Sequence, residues 1–476
     1  MADFDCIIIG GGLSGLAAGA RMAHFGKRVA IFEGHGALGG LNSFYRRGEE
    51  VIDTGLHAMT NFVPPTDASA PLNRILRQLR IGRAELELCP QSRSSIVMPG
   101  IRLRLDNDFS AFVAQLKHHF PQCVDGIDAL LTRIDACGYM GGAPAESTAR
   151  GVIMECTGGN RRLADLLCLP VMYYGNPQPG DMDFAAFAVM FKSVLQEGLC
   201  RPRNGIQSIV GALRRRFEAD GGLLRCGCAV RALEGAASAP GDCGEHRIAA
   251  VVDAHGERHT ATEILSTIGA AETLALVKGA GAYAATTPLA TCRDGGSPGF
   301  VECVFKARRA PAELGFEECV EFNCLCERFD FLPPDDVFAE PGSLLVCAPG
   351  NYVGCDAGDR FFRVSCLTDS AFWLDAARPE EEYRRAKARM AQVCLGSVAK
   401  LHPALAEGAG CRDVYTPRTF RRFTGHRNGA IYGSPDKLRD GMTGWSNLRL
   451  AGTDQGLCGI VGSMLSGILA ANALLS

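Results

Sequence analysis

Apolar and polar residues follow two different patterns along this chain, and each pattern predicts a different kind of element. Short apolar runs bounded by turn residues predict strands at Cys6 to Ile9 and at Val29 to Phe32, with a helix between them. From about Asp106 to Cys200 the apolar residues recur at helical spacing instead. The most apolar segments of this region are Phe109 to Phe120, Gly126 to Met140, Leu163 to Tyr174 and Met182 to Leu195.

The segment Met182 to Leu195 is apolar over most of its circumference. A helix of this kind is either buried in a core, or it lines an apolar tunnel or a surface that faces a membrane. No basic polar face accompanies it, so burial in a core is the interpretation that suits most of its residues.

Strand patterns return on both sides of the helical region. A hairpin is predicted for Ile96 to Leu105 around Pro99-Gly100, and residues 290 to 415 alternate short strands with helices. This alternation predicts an α/β fold. The glycines Gly10, Gly12 and Gly15, which follow the first strand and open a helix, predict a Rossmann-like dinucleotide-binding domain in it, joined to a discontinuous, mixed α+β substrate domain. We assign residues 1–105, 200–290 and 416–476 to the dinucleotide-binding domain, and residues 106–199 and 291–415 to the substrate domain.

A glycine-rich turn follows the first strand, and an acid ends the second. Gly10 permits a tight turn, Gly12 lets the backbone approach a pyrophosphate, and Gly15 lets the helix pack closely on the strand. The helix N-terminus then faces the phosphates, and Glu33 accepts hydrogen bonds from ribose hydroxyls. An isolated motif of this kind is often a turn without a ligand, but the complete strand–helix–strand–acid pattern predicts an ADP-containing dinucleotide.

A second glycine pair, Gly39-Gly40, follows the acid in the stretch A-L-G-G-L-N-S. This stretch resembles the two-dinucleotide-binding-domain flavoproteins, in which such a pair lies against the FAD pyrophosphate. The resemblance implies that the cofactor is FAD. Most members carry an arginine where this chain has Leu41, so Asn42 or a backbone amide would take the place of that arginine.

The motif D-T-G-L-H runs from Asp53 to His57. It resembles a D-x-G-x-H stretch that lies close to the isoalloxazine in FAD enzymes that oxidise or reduce polyenes. The resemblance implies a catalytic role for His57, because imidazoles exchange protons near neutral pH and a proton accompanies hydride transfer. The residues alone leave a structural histidine equally open.

Three further segments extend the resemblance over nearly the whole chain. Val230 matches a position whose backbone contacts the adenine, and L-A-G-T-D matches a turn whose acid binds the ribityl or pyrophosphate region. The stretch C-G-I-V-G-S opens a helix whose N-terminus would face the flavin pyrimidine ring. The cofactor-binding residues that these segments imply are Val230, Gly452, Asp454, Gly459 and Val461.

Together these motifs resemble the phytoene desaturase, carotenoid isomerase and retinol saturase group of FAD enzymes. The resemblance implies an FAD-dependent oxidoreductase that desaturates, saturates or isomerises a hydrophobic polyene or isoprenoid by hydride transfer at flavin N5. The substrate, the direction, the electron partner and the oligomeric state stay open. No second G-x-G-x-x-G follows a strand, so we expect no separate NAD(P)H domain.

Two alternatives remain from the residues. A flavin amine oxidase on the same scaffold would need a lysine beside the flavin and an aromatic cage; Lys306 is a candidate, although a surface position suits it better. The other alternative is a non-catalytic FAD- or lipid-binding component of a biosynthetic complex. That protein would bind FAD without a redox response to any lipid.

Composition and charge limit which partners, metal sites and cellular locations we expect. The net charge is −3 and no run of five like charges occurs, so we expect no nucleic-acid partner. The chain has 21 cysteines, none spaced C-x-x-C, which favours reduced thiols and no metal site. No run of 18 apolar residues and no basic leader occur, so we expect a cytoplasmic protein, with peripheral contact to a membrane as an alternative.

Overall fold

A parallel sheet of five strands organises the N-terminal part of the fold. The computed structural model describes residues 2–55, 57–138, 147–172, 180–235, 246–292 and 299–476. Within them the glycine-rich turn joins the central strand of this sheet to the helix Leu13–His24, which leads to the neighbouring strand, as the sequence predicts. The strands, in spatial order, are Leu448–Leu450, Ala261–Ser266, Phe4–Ile9, Val29–Glu33 and Leu223–Cys226.

Helices cover one face of this sheet. The helix Leu13–His24 packs against the C-terminal helix and against a third helix, and their apolar residues share one core with the sheet. The C-terminal helix crosses closest at Gly467, where an added Cβ would clash with the backbone oxygen of Ser14. The helices of this face are Leu13–His24, Pro71–Gln78, Ile206–Ala219 and Gly459–Leu475.

A small four-stranded sheet covers the opposite face. Its apolar residues join those of the parallel strands in a second core, which includes Phe32 and Trp445. The parallel sheet is therefore buried on both faces, as such sheets require. The strands of the small sheet are Arg258–His259, Ile248–Asp253, Val230–Gly235 and Val277–Lys278.

A seven-stranded, mostly antiparallel sheet forms the centre of the second domain. Alternate residues of each strand point to opposite faces, one packed on a long helix and the other on a helical lobe. In spatial order its strands are Gly410–Tyr415, Gly299–Lys306, Phe361–Thr368, Ser343–Cys347, Val320–Cys324, Ser94–Met98 and Ile101–Leu105.

The hairpin predicted around Pro99-Gly100 is confirmed, but it belongs to a different sheet from the one its place in the sequence suggested. Its strand Ser94–Met98 pairs in parallel with Val320–Cys324, so residues 94 to 105 lie in the sheet of the second domain. The first segment predicted for the dinucleotide-binding domain, residues 1–105, therefore includes a hairpin that pairs with the sheet of the second domain. Sequence spacing cannot detect this, because the pairing partner lies more than 200 residues away.

The helical lobe lies between residues 109 and 196. Its predicted segments contain helices, and the apolar helix continues from Phe191 into a π-helical turn at Lys192–Gln196. Residues 139–140 and 173–174 of the predicted segments lie outside the described residues. The helices of the lobe are Phe109–His119, Val124–Ala136, Ala149–Cys156, Arg161–Cys168 and Phe184–Phe191.

The remaining elements connect these layers. Among the described residues no helix has both the length and the apolar character that crossing a membrane requires. Two short strand pairs are Phe44–Arg47 with Glu50–Asp53, and Leu88–Pro90 with Cys200–Pro202. The other helices are Arg83–Leu86, Ala270–Leu276, Pro288–Thr291, Ser370–Leu374, Glu380–Leu401, Pro403–Ala406 and Pro417–Thr424.

We expect Gly467→Ala to lower the free energy of unfolding by about 1–3 kcal/mol, because its methyl group would push the C-terminal helix away from Ser14. Gly396→Ala is the matched control. Gly396 lies mid-helix with no atom near its Cβ position, so there alanine should stabilise the protein by about 1 kcal/mol through helix propensity. Urea unfolding curves measure both changes, and equal effects of the two variants would contradict the close crossing.

Candidate functional site

A cavity of about 780 Å³ opens at the carboxyl ends of the parallel strands. The residues that end or follow these strands line it: Ile9 and Gly10, Phe32 and Glu33, Thr267 and Ile268, Gly452 and Thr453. Open α/β sheets bind ligands at this edge. The cavity extends from there to the seven-stranded sheet, so it spans both domains.

The glycine-rich turn leaves space where a phosphate would lie. An added Cβ at Gly12 would meet no atom within 4 Å, whereas at Gly15 it would clash with the carbonyl oxygen of Gly10. Gly10 itself has a φ of +104° that a side chain would strain. The turn is therefore tight towards the sheet and open towards the cavity, which fits a pyrophosphate at the N-terminus of the following helix.

Glu33 holds the turn together from the end of the second strand. Its Oε2 accepts a hydrogen bond from the Gly11 amide at 2.6 Å, and its Oε1 accepts one from the His35 amide at 2.7 Å. Each carboxylate oxygen can accept a second hydrogen bond. Glu33 lines the cavity and can still accept the two hydroxyl groups of a ribose.

The glycine pair lies against the glycine-rich turn. The amide of Gly39 donates to the carbonyl oxygen of Gly11 at 2.9 Å, and Gly39 has a φ of +109°. Gly39, Gly40, Leu41 and Asn42 all line the cavity, as does Val230 on the opposite wall.

The C-terminal helix begins at the cavity with Gly459. Val461, two residues further on, is buried in the core of the first domain and does not line the cavity. Gly15 does not line the cavity either. Asp454 does not line the cavity either: its two oxygens accept hydrogen bonds from the amides of Ser434 and Ala270, both at 2.7 Å. A direct contact of these three residues with the cofactor stays a prediction, and Gly452 and Gly459 are the residues of these segments that reach the cavity.

The other end of the cavity is mainly apolar. The seven-stranded sheet and the helical lobe contribute its walls, and among the described residues of these two layers only Glu302 and Ser365 are polar. Val194 reaches the cavity from the π-helical turn, a local widening of the helix that is frequent at functional sites. The apolar residues of this end are Val194, Leu199, Phe300, Val320, Phe322 and Leu345.

His57 enters this apolar end from the motif that the sequence singled out. Its Nε2 lies 2.7 Å from Oε2 of Glu302 and 3.1 Å from Oγ of Ser365. Glu302 and Ser365 lie opposite each other on neighbouring antiparallel strands, so both side chains point to the same face of the sheet. His57 therefore has two polar partners in surroundings that are otherwise apolar.

Glu302 belongs to a buried network of charges. Its Oε1 accepts a hydrogen bond from Arg363 at 2.7 Å, and Arg363 also donates to the backbone oxygen of Asp53. The carboxylate of Asp53 pairs with Arg201. Burial opposes the charge of Glu302, but the charges and hydrogen bonds of His57 and Arg363 outweigh it and lower the pKa of Glu302 to about 2.

Comparison with known proteins identifies the family. The family model described as flavin containing amine oxidoreductase matches residues 13–475 of the chain. The chain belongs to this family. It is an FAD-dependent oxidoreductase, and the open turn at Gly12 together with the acceptors of Glu33 fits the pyrophosphate and ribose of that cofactor.

Individual relatives are distant. A prolycopene isomerase 2 from an Oncidium hybrid cultivar is 28% identical over 127 residues, which is 26% of this chain and 21% of the isomerase. A human all-trans-retinol 13,14-reductase is 31% identical over 123 residues, 25% of this chain and 19% of the reductase. These matches span about a fifth of the relatives' own length.

Solved structures share the fold over nearly the full length. An oxidoreductase from Methanosarcina mazei superposes with a TM-score of 0.66 at 15% identity, covering 98% of this chain and 99% of the other. At that identity the likeness concerns the fold alone. It confirms the predicted fold class, an α/β fold with a Rossmann-like parallel sheet joined to a second, mixed α+β part.

Lys306, the sequence candidate for a lysine beside the flavin, does not line the cavity of this flavoprotein. Its Nζ pairs with Glu50 and lies 5.5 Å from the centre of the Phe361 ring. No lysine occurs among the described residues that line the cavity.

Several residues of the site were not predicted from the sequence. Glu302, Arg363 and Ser365 lie inside strands that are mostly apolar, and a charge inside such a strand was the available signal. The helix Pro417–Thr424 was also not predicted to be a wall of the cavity. Its residues Phe420 and Phe423 line the cavity, and the centres of the Phe423 and His35 rings are 5.1 Å apart.

A second titrating pair lies beyond that helix. Nδ1 of His426 is 3.7 Å from Oε2 of Glu272, and both residues line the cavity. Burial opposes the charge of His426, but its interaction with Glu272, and then the charge of Asp454, outweigh the burial and raise the pKa of His426.

We expect Glu33→Gln to weaken FAD binding by about 10- to 100-fold, because hydrogen bonds to a charged group contribute roughly 1.5–3 kcal/mol. The measurement is FAD fluorescence during titration of the apoprotein. The control Glu49→Gln removes the same charge from an exposed position and should leave the affinity unchanged. Equal affinity of the Glu33 variant and the wild type would contradict the ribose contact.

Glu272→Gln should lower thermal stability more at about pH 5.5 than at about pH 9. Because the pKa of His426 is raised in the folded protein, the pair stabilises the fold fully below the unfolded pKa of about 6.5, and this stabilisation is lost as pH rises through the raised value. Melting curves of wild type, Glu272→Gln and the control Glu49→Gln at both pH values measure it. A difference that grows with pH would contradict the prediction.

Proposed function

We propose that this flavoprotein acts on carbon–carbon bonds of a hydrophobic polyene or isoprenoid, which it desaturates, saturates or isomerises. The observation that carries the proposal is the apolar end of the cavity. His57, the last residue of the D-x-G-x-H motif, brings a polar side chain to this end. An unsaturated hydrocarbon needs apolar walls for binding and one group that exchanges a proton.

Bound FAD supplies the hydride acceptor or donor at flavin N5. In this proposal Gly10, Gly12 and the glycine pair hold the pyrophosphate, and Glu33 holds the ribose next to the adenine, which lies at Val230. The helix that begins at Gly459 faces the flavin with its N-terminal amides, a favourable position for the negative charge of a reduced flavin. Each of these residues lines the cavity.

The walls of the apolar end bind and orient the substrate chain. Phe300, Phe322 and Leu345 come from three strands of the seven-stranded sheet, Val194 comes from the helical lobe, and Leu199 comes from the segment that follows the lobe. Both layers are parts of large cores, so the walls are rigid and exclude water. The names of the distant relatives, prolycopene isomerase and all-trans-retinol 13,14-reductase, support a substrate of this class.

A cationic amine fits this end less well. The acid there, Glu302, already has Arg363 and His57 as partners, and Lys306 lies outside the cavity. An ammonium group would therefore lose its hydration without a free carboxylate in exchange. This argues against the amine oxidase alternative at this site, although the family carries that name.

The test is an anaerobic flavin spectrum of the FAD-loaded protein. We titrate the oxidised and the dithionite-reduced enzyme with a retinoid, a carotenoid and an isoprenoid alcohol in detergent, and separately with putrescine and a monoamine. We expect a lipid to bleach the oxidised flavin, to reoxidise the reduced flavin, or to change its own absorbance on the reduced enzyme. Bleaching by amines alone would overturn the proposal, and no response to any compound would favour a non-catalytic binding protein.

Two variants sharpen this result. His57→Gln should abolish the lipid reaction and leave the FAD spectrum intact, because it removes the proton-exchanging group but no residue of the glycine-rich turn. Lys306→Met should leave the lipid reaction unchanged, because Lys306 lies outside the cavity. Loss of the reaction in Lys306→Met alone would point to amine-oxidase chemistry instead.

A further inference from the structure

The side-chain hydrogen bonds of His57 to described residues are all made by one of its two ring nitrogens. Nε2 lies 2.7 Å from Glu302 and 3.1 Å from Ser365, whereas Nδ1 has no hydrogen bond to a described residue. A neutral imidazole carries its proton on one nitrogen and a free lone pair on the other. What Nε2 contacts therefore decides which nitrogen can accept a proton.

Glu302 is ionised in the folded protein and accepts hydrogen bonds only. Glu302 is only 4% exposed, and its second carboxylate oxygen accepts a hydrogen bond from Arg363 at 2.7 Å. The carboxylate therefore cannot turn away from His57. Because an ionised carboxylate requires a donor, the proton of neutral His57 must lie on Nε2. The lone pair then lies on Nδ1.

We propose that Glu302 is the positioning residue of His57: its carboxylate fixes the Nε2–H form, makes Nδ1 the proton acceptor, and stabilises the imidazolium that forms when Nδ1 takes a proton. This inference rests on the proposed function, because it assigns the proton of that reaction. Arg363 supports this role, because its hydrogen bond fixes the Glu302 carboxylate and its positive charge keeps that carboxylate ionised.

Atoms and electrons balance in this reaction, both for desaturation and for saturation. In desaturation the substrate loses a hydride from one carbon to the flavin and a proton from the neighbouring carbon to Nδ1 of His57. The electron pair of the second C–H bond becomes the new double bond. Bound FAD would accept the two electrons that the substrate loses, and His57 becomes an imidazolium beside the Glu302 carboxylate. Saturation is the reverse.

A second trio of the same composition provides a matched control. On the same sheet, Glu321 accepts from Nε2 of His402 at 2.6 Å and from Arg102 at 2.7 Å. Glu321 is fully buried, as its 0% exposure shows, but it does not line the cavity. Glu321→Gln therefore breaks a trio of the same three residue types at a distance from the cavity, with the difference that Arg102 is half-exposed and Arg363 is buried.

The first experiment uses the wild-type holoenzyme and needs no substrate. Nitrogen-15 NMR of histidine-labelled protein, with His57→Gln to assign the signal, reports which ring nitrogen carries the proton. Spectra recorded over a range of pH isolate the neutral form of His57, and in that form we expect the proton on Nε2. A neutral form with its proton on Nδ1 would overturn the inference, because Nδ1 could then accept no proton.

The second experiment is kinetic and uses the lipid that changes the flavin spectrum. We expect Glu302→Gln to lower kcat by about 100- to 10,000-fold with little change in KM, because misplaced protons impair acid–base catalysis to this extent. Glu302→Asp, which keeps the carboxylate, should recover part of kcat, and Glu321→Gln should stay within about twofold of wild type. Equal losses in Glu302→Gln and Glu321→Gln would show a merely structural role and overturn the inference.

The two experiments separate the two proposals. If no lipid changes the flavin spectrum, the proposed function fails, while the NMR result still decides which nitrogen of His57 carries the proton. If a lipid reacts but the Glu302 variants match Glu321→Gln, the proposed function stands and the positioning role fails. Should Glu302→Gln not fold, Glu302→Asp and the wild-type NMR spectrum still test the inference.

Discussion

The site depends on a row of alternating charges buried where the two domains meet. Arg363 lies between Glu302 and the backbone of Asp53, and Arg201 completes the row on the far side. Removing one member of a buried pair costs about 3–5 kcal/mol, because the other charge stays behind without water. The sheet of the second domain is thereby fixed to the loop that carries His57. A cavity formed by two domains needs such a constraint, since interfaces between domains otherwise permit relative motion.

The same row explains the spacing of the D-T-G-L-H motif. Asp53 contacts Arg201 with its carboxylate and also accepts the amide of Ile206, at the start of a helix of the first domain. Gly55 has a φ of +69°, and a Cβ there would come within 2.6 Å of the backbone oxygen of Leu41. The motif thus turns sharply next to the glycine pair and brings His57 to the apolar end. Its first residue secures the loop, its glycine permits the turn, and its last residue lines the cavity.

Sequence reasoning found the parts of the site whose geometry is local. The turn at Gly10 and Gly12 follows from backbone constraints that a few neighbouring residues fix, and so does the helix that begins at Gly459. Glu302 could not be found in this way, because its role arises from pairing with Ser365 across two strands that are far apart in the chain. The same holds for the hairpin at residues 94 to 105, whose sheet is decided by a distant strand. A charge within an apolar strand was the signal available, and it does not name its partner.

The two histidine–glutamate–arginine trios show why composition alone does not define a catalytic group. His402 packs with the edge of the Phe316 ring against it, 4.9 Å between centres, and its Glu321 lies on the face of the sheet that turns away from the cavity. Glu302 is in register, across two strands, with Phe322, the residue after Glu321, so it lies on the face that lines the cavity. His57 reaches Glu302 on this face from the loop after Asp53. Because strand residues alternate between faces, a shift of one position separates a structural ion pair from one that can meet a substrate. The role proposed for His57 therefore depends on the strand register of Glu302 and on access to the cavity, because both histidines have a glutamate and an arginine as partners.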